Sequence, residues 1–443
     1  MYPSIKVRKY IQIATVVFPL IIVTVLWIGA KIASDSPLSW MEIPRYTSQI
    51  ISLWAIILLA MDYLLAARVR ILERVFGGLD QTYKLHRLLA GVAFAFIIAH
   101  PILLIPGAMD SFSQVMTLFI PFHPEGFPAK TAGIISLYSY IILILFSFFR
   151  FLPYDVWKFT HKLLGIPFLF GSFHALNAFS DVRAYPPLKF WVALWIVVGI
   201  GSYLYKLVLY DVIGPRYRYK VKKHTRNGST FELFLEPVGR KMNYEPGQFI
   251  FMKYKNHEII PNEKHPFSIS SPPSKDFLRI SYHVFGDYTT ILSQNAKEGD
   301  FVDLYGPYGE FTSYVYGMYK KQIWIAGGIG VTPFLSMLHY EAFNSDSKEI
   351  YFYYCNRDAR DHTYYNEIAD LMKRGDDTLN FGSCLTSQRG RLTADQVIQM
   401  IGDVSEYVVL ICGPKIMMQS LKSQFIEKGV PSHKIIFEDF GFV

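Results

Sequence analysis

Four histidines inside apolar stretches are the residues of this chain with the greatest potential for chemistry. His86 and His100 lie in YKLHRLLAGVAFAFIIAHPILL, and His161 and His174 lie in HKLLGIPFLFGSFHAL. Thirteen residues separate the first two and twelve the second two, so each helix would carry two imidazoles about 20 Å apart along its axis. Imidazoles inside a bilayer are costly and usually functional. Two such helices could clamp two hemes, each iron held by one histidine from each helix.

The composition indicates that a large part of the chain lies in a membrane. The 443 residues are 51% hydrophobic and only 18% charged, and the mean hydropathy is +0.22, which is too apolar for a soluble enzyme of this size. The net charge is +8, but the basic residues cluster beside apolar segments, which argues for membrane topology and against nucleic-acid binding. Cys355, Cys384 and Cys412 show no CxxC spacing, so no disulfide or zinc framework is predicted.

The apolar runs predict six transmembrane helices of about the twenty residues that a bilayer core requires. Their predicted limits are 11–30, 47–67, 83–107, 130–150, 159–178 and 188–210. Basic residues gather in alternate connections, so the positive-inside rule predicts that both termini are cytoplasmic. The third and fifth helices then run in the same direction. This pairs His86 with His161 near the inner face and His100 with His174 near the outer face.

The spacing in the fifth predicted helix implies a distortion. At about 100° per residue, thirteen steps leave His174 roughly 140° away from His161 on an ideal helix. Gly165, Pro167 and Gly171 lie in that interval and permit a kink.

Beyond residue 213 the sequence changes to that of soluble domains. The runs STFELFLEP, QFIFMKY and FLRISYHVF predict a β-rich domain, consistent with a small barrel. From Lys321 the pattern is strand, glycine turn and helix, repeated, which predicts a parallel sheet with crossover helices. The predicted domains are a six-helix transmembrane heme-binding bundle over 1–213, a β-barrel domain over 214–318 and an α/β domain over 319–443.

Three short segments of this second half suit nucleotide cofactors. The turn from Gly327 to Gly330 follows an apolar strand and opens a helix, where backbone amides can meet a pyrophosphate. The run HPFSISS, residues 265–271, offers an imidazole, an aromatic ring and hydroxyls for a flavin. Cys412–Gly413–Pro414 follows the last apolar strand, where a small residue and a thiol can approach a nicotinamide. Each segment alone also fits a structural turn or a buried strand, but the combination is specific.

With these motifs the chain resembles the superfamily of NADPH oxidases and ferric reductases over nearly its whole length. The paired histidines match the family's spacing of two heme b groups, and the resemblance makes His86, His100, His161 and His174 the expected iron ligands. HPFSIS resembles the family's flavin motif and GDYT, Gly286 to Thr289, its second flavin segment. AGGIGVTPFLS resembles its nucleotide loop, and CGP resembles its nicotinamide-side motif.

The resemblance implies that the β-barrel domain over 214–318 binds FAD and that the α/β domain over 319–443 binds NAD(P)H. It also implies two sets of cofactor contacts. Those to FAD are expected at His265, Pro266, Phe267, Ser268, Ile269 and Ser270, with His283 and Thr289 near the phosphates. Those to NAD(P)H are expected at Gly327, Gly328, Gly330, Val331, Thr332, Pro333, Cys412, Gly413 and Pro414. The aromatic end FEDFGFV makes Phe440 the expected ring over the flavin, with Phe442 as the alternative because three residues follow Phe440.

Two arginines bear on the choice of nucleotide. Arg357 follows one strand and Arg389 follows the next strand-like run, at the place where this fold meets the adenosine ribose. Guanidinium groups favour the 2′-phosphate of NADPH. The adjacent Asp358 could instead serve NADH, so both nucleotides stay open.

The implied reaction passes hydride from NADPH to FAD in the cytoplasm and single electrons through two hemes to an external acceptor. Dioxygen, giving superoxide, is the first interpretation, and a ferric chelate is the alternative. Leu104 stands where vertebrate oxidases have a histidine near the oxygen site, and Arg45 at the outer mouth of the second helix is expected partly to replace it. Membrane lipid is an expected partner, no regulatory subunit is evident, and a prokaryotic plasma membrane is the expected location.

A protein of another class stays open beside these. The histidines of a transporter or sensor could carry protons or metal, with a reductase-like module attached. A reduced-minus-oxidised spectrum distinguishes the membrane oxidoreductase from the transporter or sensor, because the oxidoreductase should contain two b hemes and the transporter or sensor none.

Overall fold

The computed structural model describes residues 5–34, 42–124, 126–148, 154–255, 257–343, 348–375 and 378–438. Two compact units divide the chain. The membrane unit consists of Lys9–Leu72 and Gln81–Val212, and the C-terminal unit consists mainly of the chain from Ile213 onward.

The chain before residue 214 is helical. Its helices are α1 (Ile5–Ala33), α2 (Ile43–Ala66), α3 (Arg70–Phe76), α4 (Leu79–Ile102), α5 (Phe112–Met116), α6 (Pro128–Phe148), α7 (Tyr154–Lys162), α8 (Gly165–Asn177), α9 (Asp181–Ala184), α10 (Pro186–Leu204) and α11 (Tyr210–Ile213). Five stretches of the described chain are long and apolar enough to cross a membrane: Tyr10–Ala33, Ile43–Ala66, Gln81–Ala108, Pro128–Ser147 and Pro186–Val212. They correspond to five of the six predicted helices.

The remaining predicted helix, 159–178, is not continuous. The helix is interrupted at residues 163 and 164, between α7 and α8, which confirms the predicted distortion. Pro167 carries no N–H and cannot bond the carbonyl four residues earlier. Gly165 leaves room for the ring of Tyr203, because a Cβ at this glycine would lie 2.2 Å from the Tyr203 Cζ atom.

Two tyrosines satisfy carbonyl groups that the break exposes. The Tyr203 hydroxyl donates to the Lys162 carbonyl at 2.7 Å, and the Tyr63 hydroxyl donates to the Leu164 carbonyl at 2.7 Å. Because a bilayer offers no water to such carbonyls, these bonds allow irregular backbone inside an apolar unit.

The first part of the C-terminal unit is an antiparallel sheet of six strands in the order β4-β3-β6-β1-β2-β5. The strands are β1 (Arg216–Asn227), β2 (Thr230–Pro237), β3 (Phe249–Tyr254), β4 (His265–Ser268), β5 (Leu278–His283) and β6 (Phe301–Tyr308), and helix α12 (Asp287–Asn295) follows β5. Alternate side chains point to a common core that Tyr288 and Leu292 of α12 help to fill.

The predicted barrel is wrong, because this sheet is a half-barrel. Its edge strands β4 and β5 are not paired in the sheet. Among the described residues an isolated bridge joins Ile269, the residue after β4, to Ile280 of β5. Strand β4 has four residues, and Pro266 within it supplies no N–H to a ladder, which confines such a strand to a sheet edge.

The second part of the C-terminal unit is a parallel sheet in the order β11-β10-β7-β8-β9, as predicted. Its strands are β7 (Lys321–Gly327), β8 (Glu349–Asn356), β9 (Leu379–Leu385), β10 (Val408–Cys412) and β11 (Ile435–Glu438). Its helices are α13 (Ser313–Tyr316), α14 (Thr332–Glu341), α15 (Tyr365–Arg374), α16 (Thr386–Arg389), α17 (Ala394–Ile401) and α18 (Lys415–Glu427). Helices α14 and α15 cover one apolar face of the sheet, and α17 and α18 cover the other.

A buried ionic cluster joins the half-barrel to the parallel sheet. Arg279 of β5, only 12% exposed, donates from both terminal nitrogens to Glu367 of α15 at 3.0 and 2.8 Å, and it lies 3.5 Å from Glu232 of β2. Burial by itself would raise the pKa of Glu367, but hydrogen bonds from His339 and Arg279 hold that pKa at about 2. The stabilisation is therefore complete above pH 4.5 and is lost as the pH falls toward 2.

We predict that Arg279→Met destabilises the C-terminal unit. Removing one partner of a buried ion pair costs about 3 kcal/mol, which corresponds to roughly 10 °C in melting temperature for a unit of this size. Melting followed by flavin fluorescence at pH 7 measures the effect. Arg360→Met is the matched control, because the Arg360 side chain is 91% exposed in its pair with Asp358, and it should melt with the wild type. Equal melting of the two variants would contradict the role given to Arg279.

Candidate functional site

The four predicted histidines form two neighbouring pairs in the membrane unit. The ring centroids of His86 and His161 are 6.2 Å apart at an interplanar angle of 74°. Those of His100 and His174 are 6.3 Å apart at 68°. These are the two pairs that parallel helices predict from the sequence.

The separation within each pair suits two ligands on opposite sides of one iron. With a metal–nitrogen bond of about 2 Å on each side and about 1 Å from nitrogen to ring centre, such imidazoles have centroids about 6 Å apart. In the part of the chain that the structure describes, no three histidine, cysteine, aspartate or glutamate side chains come together as a metal site. Two imidazoles are the number that a six-coordinate heme iron takes from the protein, so the residues fit that group.

Three of the four imidazoles are held through Nδ1, which leaves Nε2 available to a metal. His86 Nδ1 lies 2.8 Å from the Asp62 carboxylate. His100 Nδ1 lies 2.8 Å from the Ser48 hydroxyl, and His174 Nδ1 lies 2.8 Å from the Ala129 carbonyl. Partners of this kind fix the ring orientation and the tautomer of metal-ligating histidines.

A cavity of about 410 Å³ adjoins the second pair. His100 and His174 line it together with Arg45, Leu104 and Lys130, and its volume falls in the range of about 300–1,000 Å³ that is usual for ligand pockets. The Arg45 side chain is 61% exposed and lies 3.1 Å from Glu42. The predicted acceptor-side arginine therefore borders the same cavity as the second histidine pair.

The predicted flavin run begins with β4 in the half-barrel. The His265 ring stacks on Tyr288 with centroids 3.5 Å apart, and its Nε2 lies 2.9 Å from Glu263. Phe267 and the residues that follow it are buried, and Ser270 is 0% exposed. Pro266 is half-buried at the edge. The polar groups of this run that a flavin could reach are therefore mainly the His265 side chain and the backbone.

The second flavin segment begins α12. Gly286 has a φ of 81° and precedes the helix, so the Gly286–Thr289 segment offers a helix N-terminus to an anion. The Thr289 hydroxyl bonds the backbone of Phe285. His283 lies 3.1 Å from the Thr230 hydroxyl, and burial lowers the pKa of its imidazole, which favours the neutral form.

The glycine turn has the predicted position between β7 and a helix. Gly328 has a φ of 55°, which glycine adopts without strain. Gly330 lies against the end of β10, because a Cβ there would lie 2.4 Å from the Cys412 carbonyl oxygen. Thr332 and Pro333 then begin α14. The turn and the CGP segment are thus neighbours at one edge of the parallel sheet.

The flavin run and the nucleotide turn are linked within the same unit. The Ser336 hydroxyl of α14 donates to the Ser271 carbonyl at 2.7 Å. Cys412 is 2% exposed and packs in the core beside α14. Its predicted contact with nicotinamide stays a prediction, as do those of Val331, Gly413 and Pro414.

The two predicted ribose-binding segments lie side by side. The Ser387 N–H donates to the Arg357 carbonyl at 3.0 Å, which ties α16 and Arg389 to the loop after β8. Asp358 accepts hydrogen bonds from the backbone and the side chain of Arg360, and these lower its pKa. The Asp358 carboxylate therefore already accepts hydrogen bonds from Arg360, whereas the Arg357 side chain is exposed.

The aromatic residues expected over the flavin, Phe440 and Phe442, lie outside the described residues. The last described residue, Glu438, ends β11 and stands opposite Cys412 in the register of the parallel sheet.

Several residues of these sites were not identified from the sequence. Asp62 could have been found, because it is the acidic residue inside the apolar run 47–67. The Ala129 carbonyl has no sequence signal, since any residue would supply it. Arg279 stands in an ordinary strand pattern, and Tyr288 lies inside the predicted GDYT segment, but both show their partners only in the fold.

Comparison with known proteins finds a matching family model for each of three parts of the chain. The ferric reductase like transmembrane component matches residues 51–172, an FAD-binding domain matches 218–313, and an oxidoreductase NAD-binding domain matches 324–423. The chain is 27% identical over 239 residues to flavohemoprotein A of Dictyostelium discoideum, covering 50% of this chain and 59% of that protein. It is 25% identical over 273 residues to a superoxide-generating NADPH oxidase heavy chain of that organism, covering 55% and 50%. It therefore spans less than two thirds of either relative.

A crystal structure of flavohemoglobin from Malassezia yamatoensis with bound FAD and heme is similar in fold. The TM-score is 0.50 at 20% identity, over 92% of this chain and all of that one.

The arrangement defines a class of membrane oxidoreductase in which FAD- and NAD-binding domains follow a ferric reductase like transmembrane component. These matches support the resemblance to the superfamily of NADPH oxidases and ferric reductases.

We predict that Arg357→Ala lowers the ratio of kcat/KM for NADPH to that for NADH about tenfold, because a charge-assisted bond to the 2′-phosphate is lost. Steady-state kinetics with both nucleotides measure the ratio. Arg374→Ala, at the C-terminal end of α15 and also exposed, should leave it unchanged. An unchanged ratio in Arg357→Ala would exclude this arginine as the reader of the phosphate.

Proposed function

We propose that the protein is a transmembrane oxidase that uses FAD and two b-type hemes to carry electrons from cytoplasmic NADPH to dioxygen across the membrane, forming superoxide. The observation that supports this most is the pair of bis-histidine sites, with centroid separations of 6.2 and 6.3 Å. Bound FAD would accept hydride and release single electrons, which bound hemes would accept one at a time. The protein's residues then have the tasks of binding, orientation and exclusion of water.

At the cytoplasmic end, the residues of the parallel sheet would position the nucleotide. The helix that begins at Thr332 directs its N-terminal amides toward the pyrophosphate, and Arg357 and Arg389 meet the ribose phosphate. The contact between Ser336 and Ser271 couples this helix to the flavin run. A fixed distance between nicotinamide and flavin is what hydride transfer requires.

At the opposite end, the cavity beside His100 and His174 would receive the acceptor. Arg45 and Lys130 border it, and their positive charges would stabilise the anion that forms when dioxygen takes one electron. The NADPH oxidase heavy chain of Dictyostelium discoideum, which the chain resembles over 273 residues, supports dioxygen as the acceptor.

A ferric chelate is the second candidate acceptor. The match of residues 51–172 to a ferric reductase like component favours it, and the same cations would attract an anionic chelate. Because Arg45 is 61% exposed, it could meet a chelate too large for the cavity.

The acceptor is tested with purified protein, NADPH and FAD in detergent. Superoxide formation is expected, measured as cytochrome c reduction that superoxide dismutase abolishes, with Arg45→Ala several-fold slower and with unchanged flavin reduction. Arg183→Ala, an arginine on α9 that does not line the cavity, is the control. Rapid formation of a ferrous chelate without a dismutase-sensitive signal would contradict the oxidase function and identify the protein as a ferric reductase.

The histidine pairs give a separate prediction. His86→Ala and His161→Ala should each remove one and the same heme, and His100→Ala and His174→Ala should each remove the other, since each iron needs both ligands. Pyridine hemochrome content and low-temperature spectra identify the heme lost. His123→Ala, outside the helices, should keep both hemes. Loss of different hemes by the first two variants would contradict the pairing.

A further inference from the structure

We propose that Asp62 is a positioning residue whose carboxylate orients His86 and lowers the reduction potential of the heme between His86 and His161. The first heme would then have the lower reduction potential of the two, which favours electron transfer from the first heme to the second. This inference rests on the proposed function, because it concerns those hemes.

Asp62 is a buried acid inside an apolar helix. It is 6% exposed in α2, and its Oδ1 lies 2.8 Å from Nδ1 of His86. Neither atom has another hydrogen-bond partner among the described residues. An ionisable side chain at membrane depth is costly and marks a functional site by default. The geometry identifies His86 as the group that Asp62 serves.

The two histidine pairs differ in the charge of their partners. In the second pair, His100 meets the hydroxyl and the carbonyl of Ser48, and His174 meets the carbonyl of Ala129. All these partners are neutral. In the first pair, the Nδ1 of His161 has no hydrogen-bond partner in the described chain. Among the partners of the four rings, the carboxylate beside His86 is therefore the one that carries a charge.

A carboxylate partner changes the ligand as well as its orientation. An imidazole that donates its Nδ1 proton to a carboxylate becomes a more basic ligand. Both the stronger ligand and the nearby negative charge favour ferric over ferrous iron, and in a medium of low dielectric the charge acts strongly. The first pair should therefore hold the heme of lower potential.

The direction follows from where the first pair lies in the membrane unit. The C-terminal end of α10, from which the chain continues to β1, contacts the residue after His161 through the bond from Tyr203 to Lys162. In the proposed function electrons enter at this end. A lower potential at the first pair makes the step to the second pair favourable and disfavours return.

The test is a spectroelectrochemical titration of the full-length purified protein. His86→Ala, which keeps only the second heme, assigns the two midpoints. Asp62→Asn keeps size and removes charge, and the first midpoint should rise while the second stays unchanged. Asp62→Glu restores the charge and should return the first midpoint toward the wild-type value. Ser48→Ala is the matched control, since it removes a neutral partner of His100 and should leave the first midpoint unchanged.

The outcomes separate this inference from the function on which it rests. Wild-type protein without heme would contradict the proposed function. Two hemes with both midpoints unchanged in Asp62→Asn would overturn the role of Asp62 alone. If Asp62→Asn loses one heme, Asp62→Ser replaces it as the neutral variant. Loss of that heme in both Asp62→Asn and Asp62→Ser, with wild-type heme content and midpoint in Asp62→Glu, supports the proposal. Loss of the heme in all three Asp62 variants overturns it, because the role of Asp62 would then be structural.

Discussion

The break between α7 and α8 is the constraint on which the histidine sites depend. On one ideal helix His161 and His174 would point in directions about 140° apart, and they could not both face α4. The break lets each half of the segment orient its own histidine, and both rings come within 6.3 Å of a partner on α4. The cost is irregular backbone at membrane depth, which the hydroxyls of Tyr63 and Tyr203 offset by donating hydrogen bonds to the exposed carbonyls.

A second constraint acts in the C-terminal unit, where two domains must hold a fixed relation. The half-barrel and the parallel sheet each bury an apolar core, but such cores do not specify how the domains meet. The contacts of Arg279 with Glu367 and of Ser336 with Ser271 do so, because they are directional. The flavin run and the nucleotide turn are thereby kept adjacent within one unit.

Much of this organisation could be predicted from the sequence, for identifiable reasons. The histidines stood out because polar groups are rare in apolar runs, and the glycine turn stood out because of its place between a strand and a helix. The half-barrel was missed because strand patterns do not tell whether a sheet closes, and a four-residue strand with a proline at the edge is a weak signal. The partners of the imidazoles were missed because Asp62 and Ser48 lie on another helix and Ala129 contributes only a backbone carbonyl.

The cofactor stoichiometry of the purified wild-type protein tests the central claim most directly. Heme content by pyridine hemochrome, flavin by fluorescence after release, and protein by amino-acid analysis give the ratio in one preparation. The account predicts two b-type hemes and one FAD per chain, with a reduced-minus-oxidised spectrum of bis-histidine, low-spin type. A preparation that binds FAD and oxidises NADPH but takes up no heme would contradict it, since the two histidine pairs would then have another purpose.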